Sequence, residues 1–253
     1  MFVDAHCHLT FPDFDSDRHD VIERLKAQNV GLLIHPGTDV ERSEDAIRFA
    51  ESFDFAYANV GLHPSEVSAF GDEAFATLDA LGGHEKVVAI GEIGLDYHYP
   101  DTDRKRQEMC FREMLRIAKR RDLPVVIHSR DAWDDMFKIL KEESHSGLRG
   151  MMHCFTGTIE EAQKSLSFGL KISIPGIVTF KKSPLPEVVS KLDLSDLLTE
   201  TDCPYLAPAP YRGKRNEPAY VVEIAKKIAE IKEIPAWQVE ETIEKTTRRL
   251  FGI

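Results

Sequence analysis

Near its start the chain reads Val3-Asp4-Ala5-His6-Cys7-His8, and the rest of the sequence is best interpreted outward from this stretch. Apolar Phe2 and Val3 begin a predicted β-strand, in which side chains repeat every two residues. His6 and His8 are therefore expected to point to the same side of that strand, close enough to bind one cation. Two neutral imidazoles suit a divalent transition metal. A His-x-His motif also occurs at strand ends without any function. The residues at the ends of the other strands are therefore needed to distinguish a metal site from a strand end without function.

Apolar, β-rich runs alternate with amphipathic, charged segments along the whole chain. The predicted strands are residues 2–5, 30–34, 55–60, 87–90, 124–127, 150–153, 170–174 and 194–198. The predicted helices are residues 17–28, 40–52, 74–80, 103–121, 131–141, 159–168, 185–191, 217–232 and 235–250. Continuous apolar runs are typical of parallel strands that are buried on both faces. Eight β-α units in about 250 residues predict an α/β protein with a (β/α)8 TIM barrel, with a doubly wound open sheet as the alternative.

Composition limits the classes of protein that the sequence can encode. The 253 residues, 42% hydrophobic and 30% charged, are typical of a soluble globular protein, expected here as one domain over residues 1–253. No apolar run approaches the roughly 18 residues of a membrane span, and the N-terminus does not have the pattern of a signal peptide. A net charge of −11 argues against a protein that coats long nucleic acid, but not against an enzyme that binds one end of a strand.

The cysteines predict the cellular compartment. The chain has four cysteines: Cys7, Cys110, Cys154 and Cys203. None of them forms a C-x-x-C pair, and all but Cys110 lie beside expected metal ligands. This pattern favours a reducing compartment over a disulfide framework, so the predicted location is the cytoplasm.

Polar side chains stand at or just after the ends of seven of the predicted strands. These residues are His6, His8, His35, His63, Glu92, His128, His153 and Asp202. In a TIM barrel the carboxyl ends of the strands meet at one mouth, where barrel enzymes act. One histidine there is usually only hydrogen-bonded, but four histidines and two carboxylates at corresponding positions indicate a metal site. The predicted ligands are His6, His8, Glu92, His128, His153 and Asp202.

This set of ligands also predicts a type of metal centre. Nitrogen and carboxylate ligands suit zinc, magnesium or manganese. Six ligands exceed the needs of one tetrahedral structural site and fit two adjacent ions that share a carboxylate and a water. Two such ions lower the pKa of a bridging water, which supplies a hydroxide near neutral pH, and they neutralise charge on phosphoryl oxygens. The predicted cofactor is therefore a pair of divalent ions.

Five segments together resemble the signatures of one family. They are Asp4-Ala5-His6-Cys7-His8, Gly91-Glu92-Ile93-Gly94-Leu95-Asp96, His128-Ser129-Arg130, His153-Cys154-Phe155-Thr156-Gly157 and Glu200-Thr201-Asp202-Cys203-Pro204-Tyr205-Leu206. The chain resembles, over essentially its whole length, the TatD-type metal-dependent DNases, which are amidohydrolase-like barrels. The resemblance implies two ligand sets: His6, His8 and Asp202 on one ion, His128 and His153 on the other, and Glu92 bridging them. It also implies hydrolysis of DNA phosphodiester bonds, typically exonucleolytic, and we expect single-stranded ends as the substrate.

Roles follow for the residues nearest the expected reaction. Asp202, at the edge of the metal centre, is predicted to accept or relay the proton of the water. Glu92 is predicted to stay ionised as a ligand, as metal-bound carboxylates usually do. His63 and Arg130 are candidates for binding the scissile phosphate. The alternative for Arg130 is an ion pair with Asp131 or Asp134 at the start of the following helix.

The eighth strand is followed by a proline-bounded loop, Pro208-Ala209-Pro210-Tyr211-Arg212-Gly213-Lys214-Arg215-Asn216-Glu217-Pro218. A local group of cations on a negative chain can steer an anion, so Arg212, Lys214 and Arg215 are predicted to bind substrate phosphates. The alternative is a solvated loop whose cations pair with nearby carboxylates. Phe155 and Tyr205 are candidates for stacking on a base.

Two other functions compete with the DNase interpretation. One is an amidohydrolase-type enzyme for a small phosphoester, lactone or amide, which could use nearly the same metal site; the loop cations favour a phosphate-bearing substrate. The other is a non-catalytic metal-binding scaffold, which would have no reason to place every ligand at one mouth. The sequence assigns no role to His35, His98 or Glu200 and identifies no protein partner.

Overall fold

The computed structural model describes residues 1–69, 71, 73–143 and 145–253. Eight strands form one parallel sheet in sequence order, with bounds β1 Phe2–Asp4, β2 Val30–Pro36, β3 Ala56–Val60, β4 Val87–Asp96, β5 Val125–Arg130, β6 Gly150–Met152, β7 Leu170–Ile174 and β8 Leu197–Thr199. The sheet closes on itself, because the Ala5 N–H donates to the Thr199 carbonyl at 2.9 Å and the Thr199 hydroxyl donates to the Val3 carbonyl at 2.8 Å. The (β/α)8 barrel predicted from the sequence is confirmed, and the open sheet is excluded.

The helices surround this barrel. Their bounds are α1 Arg18–Ala27, α2 Val40–Glu51, α3 Glu73–Leu81, α4 Arg104–Arg121, α5 Trp133–Glu143, α6 Ile159–Ser167, α7 Leu185–Lys191, α8 Val221–Lys232 and α9 Ala236–Phe251. Short 3₁₀ turns occupy Pro12–Phe14, Gly176–Thr179, Leu194–Asp196 and Pro218–Tyr220. Helix starts follow local chemistry: the Asp39 carboxylate accepts from the Arg42 N–H at 2.7 Å, and Thr158 with Glu161 forms a capping box.

The strands are apolar because both of their faces are covered. All ten residues of β4 are buried, as expected for a parallel strand between side chains of the barrel interior and the helices outside. The main hydrophobic core lies largely between the strands and the helices, and a second apolar cluster includes Ile34, Val126 and Leu198 from the strands and Ala5 just after β1. Among the described residues, no helix combines the length and the apolarity needed to cross a bilayer.

Four predicted boundaries were wrong, and the first two affect the site. Strand β1 ends at Asp4, so His6 and His8 lie beyond the strand and are not aligned by its two-residue repeat. Strand β4 continues to Asp96 instead of ending at Ile90, because residues 93–96 pair with β5 after an irregularity in register. Residues 194–196 form a 3₁₀ turn rather than the start of the last strand, and a 3₁₀ turn likewise precedes α8.

Gly94 explains how the long β4 can run against β5. Its φ is +140°, and a Cβ built there would lie 2.0 Å from the carbonyl oxygen of His128. Only glycine permits both this backbone conformation and this approach. The β4–β5 contact brings the two metal-ligand candidates Glu92 and His128 together.

Candidate active site

The six predicted ligands converge at the carboxyl end of the barrel. His6 and His8 follow β1, Glu92 lies within β4, and His128 lies within β5. His153 and Asp202 follow β6 and β8. A cavity of about 610 Å³, called here the mouth cavity, opens above them, and its lining includes five of the six: His8, Glu92, His128, His153 and Asp202.

One carboxylate oxygen of Glu92 belongs to a first ligand set, formed with His6, His8 and Asp202. Glu92 Oε2 lies 3.4 Å from His6 Nε2 and 4.0 Å from His8 Nε2. Asp202 Oδ1 lies 3.4 Å from His8 Nε2 and 3.8 Å from His6 Nε2. The two imidazole nitrogens are 3.1 Å apart. Both histidines therefore direct Nε2 to one point, although neither is on a strand.

The other oxygen of Glu92 belongs to a second ligand set, formed with His128 and His153, and His63 lies beside this set. Glu92 Oε1 lies 3.1 Å from His128 Nδ1, 3.4 Å from His153 Nε2 and 3.3 Å from His63 Nε2. His63, predicted to contact phosphate, is thus as close to Glu92 as the predicted ligands are. Glu92 lies between two groups of nitrogen atoms and presents one oxygen to each.

The distances within each set fit a divalent ion. Two atoms bound at about 2.1 Å to one tetrahedral ion lie about 3.4 Å apart. The separations in the first set run from 3.1 to 4.0 Å, and the imidazole nitrogens of the second set lie 3.1 and 3.4 Å from Glu92 Oε1. Both sets contain only imidazole nitrogen and carboxylate oxygen, which suit zinc or manganese. The residues present therefore fit two adjacent divalent ions.

Glu200, whose role the sequence did not assign, orients His153. Its fully buried carboxylate lies 3.1 Å from His153 Nδ1 and accepts from the Cys154 N–H at 2.5 Å and from the Ser173 hydroxyl at 2.7 Å. An Nδ1–H that donates to Glu200 leaves the Nε2 lone pair directed at Glu92. Such partners fix the tautomer of a ligating histidine and raise its basicity. The signal in the sequence was a charged residue at the buried end of β8.

Asp96 has the same relation to His128. Its Oδ2 lies 3.1 Å from His128 Nε2, and the opposite ring nitrogen faces Glu92. Asp96 is itself held, because its Oδ1 accepts from the His98 N–H at 3.0 Å and its own N–H donates to Gln107 Oε1 at 2.9 Å. Asp96 belongs to one of the family motifs, but the sequence predicted no role for it, because the fourth strand was predicted to end at Ile90.

The electrostatic field of the cluster favours a cation. Burial acts to lower the pKa of His153, but the charges of Glu200, Glu92 and Asp202 outweigh it and raise that pKa to about 10. Burial acts to raise the pKa of Glu92, but the His153 and His63 charges and hydrogen bonds from neighbouring imidazoles hold it well below its ordinary value. The pKa of Asp202 is likewise lowered, by His153 and by a hydrogen bond from His8, against the effect of burial. A bound cation would take the place of the proton that this field otherwise holds.

His63 and Arg130, the predicted phosphate contacts, both line the mouth cavity. The Ser65 hydroxyl lies 2.7 Å from His63 Nδ1, which leaves Nε2 directed inward. Asp131, a carboxylate considered as the alternative partner of Arg130, instead lies 3.2 Å from His98 Nδ1. The Arg130 side chain is exposed at the rim.

The three cations of the loop at 208–218, called here the basic loop, are not equivalent. Among the described residues, the lining of the mouth cavity includes none of them. The Arg215 guanidinium binds both carboxylate oxygens of Asp17, at 2.8 and 2.7 Å, and lies 4.5 Å from the Phe14 ring centroid. This is the carboxylate pairing of the alternative interpretation. Arg212 and Lys214 are exposed, with Arg212 lying over the Phe180 ring at 3.8 Å.

The two residues predicted to stack on a base differ in exposure, and His35, for which the sequence predicted no role, lies beneath the site. The prediction that Phe155 stacks on a base was wrong, because Phe155 is 1% exposed and packs against Trp133 at a centroid distance of 5.5 Å. Tyr205 lines the mouth cavity. His35 is fully buried, and its Nε2 accepts from the Thr10 N–H at 2.9 Å, which supports the segment that carries His8.

Comparisons with known proteins agree with this site. A model of the family described as TatD related DNase matches residues 3–252. The chain is 42% identical over 254 residues to the uncharacterized metal-dependent hydrolase YabD of Bacillus subtilis, with 100% of both chains covered. It is 37% identical over 256 residues to the 3'-5' ssDNA/RNA exonuclease TatD of Cronobacter sakazakii, covering 98% of this chain and 97% of that protein. The crystal structure of YjjV, a TatD homologue of Escherichia coli K12, has a TM-score of 0.94 at 33% identity, covering 100% of this chain and 98% of that one.

Proposed function

Because the chain belongs to the TatD related DNase family of metal-dependent hydrolases, we propose that it cleaves phosphodiester bonds of DNA, acting at single-stranded ends. The observation that carries the proposal is the position of Glu92 at the mouth cavity, with one oxygen facing each ligand set. The relative from Cronobacter sakazakii, which is named as a 3'-5' ssDNA/RNA exonuclease, supports the substrate class.

Each ligand set would hold one divalent ion, with Glu92 offering one oxygen to each set. When bound, such ions lower the pKa of a coordinated water and neutralise charge that develops on phosphoryl oxygens. Glu92 acts as an ionised ligand, consistent with its lowered pKa. Glu200 and Asp96 hold His153 and His128 in the orientation that this arrangement requires.

Other side chains at the cavity act on the substrate and on protons. Asp202 lines the cavity and its pKa is lowered, so its ionised carboxylate is the group we propose to accept the proton of the attacking water. His63 and Arg130, which converge on the same cavity, would bind the scissile phosphate. Arg212 and Lys214, exposed beyond the rim, would contact phosphates farther along the strand.

The cysteines support a cytoplasmic location, which we also propose. All four are free thiols, and Cys7, Cys110 and Cys203 are buried. Burial raises the pKa of the Cys154 thiol well above its ordinary value, which keeps it in the protonated, unreactive form.

The test is hydrolysis of a labelled single-stranded oligodeoxynucleotide by protein stripped with a chelator. We expect no hydrolysis in the stripped protein and recovery when zinc, manganese or magnesium is added. Full activity in rigorously metal-free protein would overturn the proposal. Turnover of a lactone or amide, with none of DNA, would assign the same centre to another amidohydrolase-type reaction.

Metal content tests the shared position of Glu92. In Glu92→Ala both ligand sets lose an oxygen, so occupancy of both ions should fall and nearly all turnover should be lost. In His128→Ala only the second set loses a ligand, so chiefly one ion should be weakened. Two fully occupied ions in Glu92→Ala would refute the bridging role.

A further inference from the structure

Two of the six tyrosines have a ring that is left available for a ligand. The rings of the other four are covered within the protein: Tyr57 by Lys86, Tyr97 by Arg104, and Tyr211 and Tyr220 by each other at a centroid distance of 3.8 Å. Tyr99 and Tyr205 are 63% and 54% exposed. In the part of the chain that the structure describes, the Tyr205 ring has no aromatic or cationic partner, and the Tyr99 ring meets only His98, in a T-shaped contact at 5.1 Å.

Both rings stand at the mouth cavity, on opposite sides of the metal ligands. Tyr99 follows β4, three residues beyond Asp96, and Tyr205 follows β8, three residues beyond Asp202. Strands four apart in a closed barrel of eight lie across from one another. Both tyrosines line the cavity whose lining also includes Glu92. A strand with a phosphate at Glu92 therefore has one of these rings on each side.

The backbone that carries Tyr205 is fixed by hydrogen bonds. Its N–H donates to the Asp202 carbonyl at 3.0 Å, and its own carbonyl accepts from Asn216 Nδ2 at 2.6 Å. Asn216 is fully buried and also donates to the Thr201 carbonyl at 2.8 Å. A tyrosine on a fixed backbone has only two side-chain torsions to order when a ligand binds. Ordering the exposed Tyr205 ring against a base therefore costs little conformational entropy.

We propose that Tyr205 and Tyr99 stack on unpaired bases that flank the scissile phosphate, and that they select single-stranded nucleic acid in this way. The inference rests on the proposed phosphodiester hydrolysis. Every base has an aromatic face, so stacking tolerates any sequence. In a duplex both faces of a base are already stacked on its neighbours, so a duplex end must first be opened. Phosphate contacts alone do not distinguish paired from unpaired strands in this manner.

The test distinguishes contacts to the bases from contacts to the phosphates. The substrates are a labelled single-stranded oligodeoxynucleotide and a strand of equal length in which every nucleotide is a tetrahydrofuran abasic site. The variants are Tyr205→Leu and Tyr205→Phe, with Tyr99→Leu and Tyr99→Phe as the second pair, all loaded with the same metal. Trp237→Leu is the matched control, because Trp237 is also 63% exposed but lies on α9, outside the lining of the mouth cavity.

On the normal strand, each leucine variant should lower kcat/KM by about 5- to 150-fold, the range of one stacked base. The phenylalanine variants and Trp237→Leu should match the wild type. On the abasic strand, the wild type should already be slower, and the leucine variants should lose nothing more.

Equal losses on both strands would overturn the stacking role while leaving the hydrolase intact. So would retention of the wild-type rate by the leucine variants on the normal strand. Failure of the wild type to hydrolyse either strand in the presence of metal would overturn the proposed function, and the stacking inference with it.

Discussion

Glu200 has no exposed surface, yet three donors meet at its carboxylate beside His153. Glu200→Gln keeps the shape but removes the charge and turns one oxygen into an NH2 group that cannot accept. Ligand-orienting residues of this kind typically change metal affinity by about 10- to 100-fold. We expect a loss of this size in metal titrations of the stripped protein, with the same ion count at saturation.

Ser173→Ala is the control for that prediction. This substitution removes the hydroxyl that donates to Glu200 but leaves the contact between Glu200 and His153 intact. Its metal affinity should fall much less than that of Glu200→Gln. Unchanged affinity in Glu200→Gln would show that Glu200 only fills space.

Gly94 predicts a second effect at the scale of one residue. In Gly94→Ala the new Cβ would meet the His128 carbonyl at 2.0 Å in a backbone conformation with φ of +140°. Overpacking and backbone strain together should cost about 3 kcal/mol or more in the free energy of unfolding. Gly213→Ala is the matched comparison, because Gly213 also has a positive φ, +83°, but nothing lies within 4 Å of its Cβ position. The free energy of unfolding of both variants is measured with denaturant. Equal losses in the two variants would show that the close approach to the His128 carbonyl is not the cause.

At the scale of elements, the basic loop combines a structural cation with two exposed ones. Arg215 joins the loop to Asp17 at the start of α1, whereas Lys214 is exposed. Arg215→Ala should destabilise the fold by about 1 kcal/mol, as expected for a bidentate pair near the surface. Lys214→Ala should leave stability nearly unchanged, raise KM for DNA and flatten its salt dependence. The opposite assignment of these two effects would contradict the structure.

The effect of Arg215 on stability should depend on pH. The hydrogen bond from Arg215 lowers the pKa of Asp17 in the folded protein. The stabilisation is therefore fully present above the unfolded pKa, about 4, and is lost as the pH falls through the lower folded value. The difference in Tm between the wild type and Arg215→Ala should be largest at neutral pH and should decrease in acid. A difference that grows in acid would contradict the ion pair.

Strand and helix periodicity predicted the elements because buried parallel strands are continuously apolar, and eight of them leave few arrangements. The same pattern could not place the end of β4, since Gly91 and Gly94 interrupt an apolar run as a turn would. It missed Asp96 and Glu200 as partners of ligands, because their contacts join separate strands. It also could not show that Arg215 meets Asp17, 198 residues away.

For the whole molecule, metal binding should stabilise the barrel. The ligands come from the ends of five strands, so the ions bind the folded state and not the unfolded chain. An ion at a hundred times its Kd adds about 2.7 kcal/mol to the free energy of unfolding. In a chain of this size that raises Tm by about 5–10 °C. Thermal unfolding of stripped and reloaded protein measures this shift, which should be much smaller in Glu92→Ala, and an equal shift in that variant would place the stabilising ion elsewhere.

The seam between the first and last strands also governs when the site is completed during synthesis. The Asp202 N–H donates to the His6 carbonyl at 2.9 Å, and the His8 N–H donates to the Cys203 carbonyl at 2.9 Å. Val3 and Thr199, which meet at the same seam, are 196 residues apart. At about 5–20 residues per second, a ribosome needs roughly 10–40 s to make this stretch. A chain that stops short of Thr199 therefore lacks both Asp202 and the strand that fixes the segment carrying His6 and His8, and we expect such a fragment to be inactive.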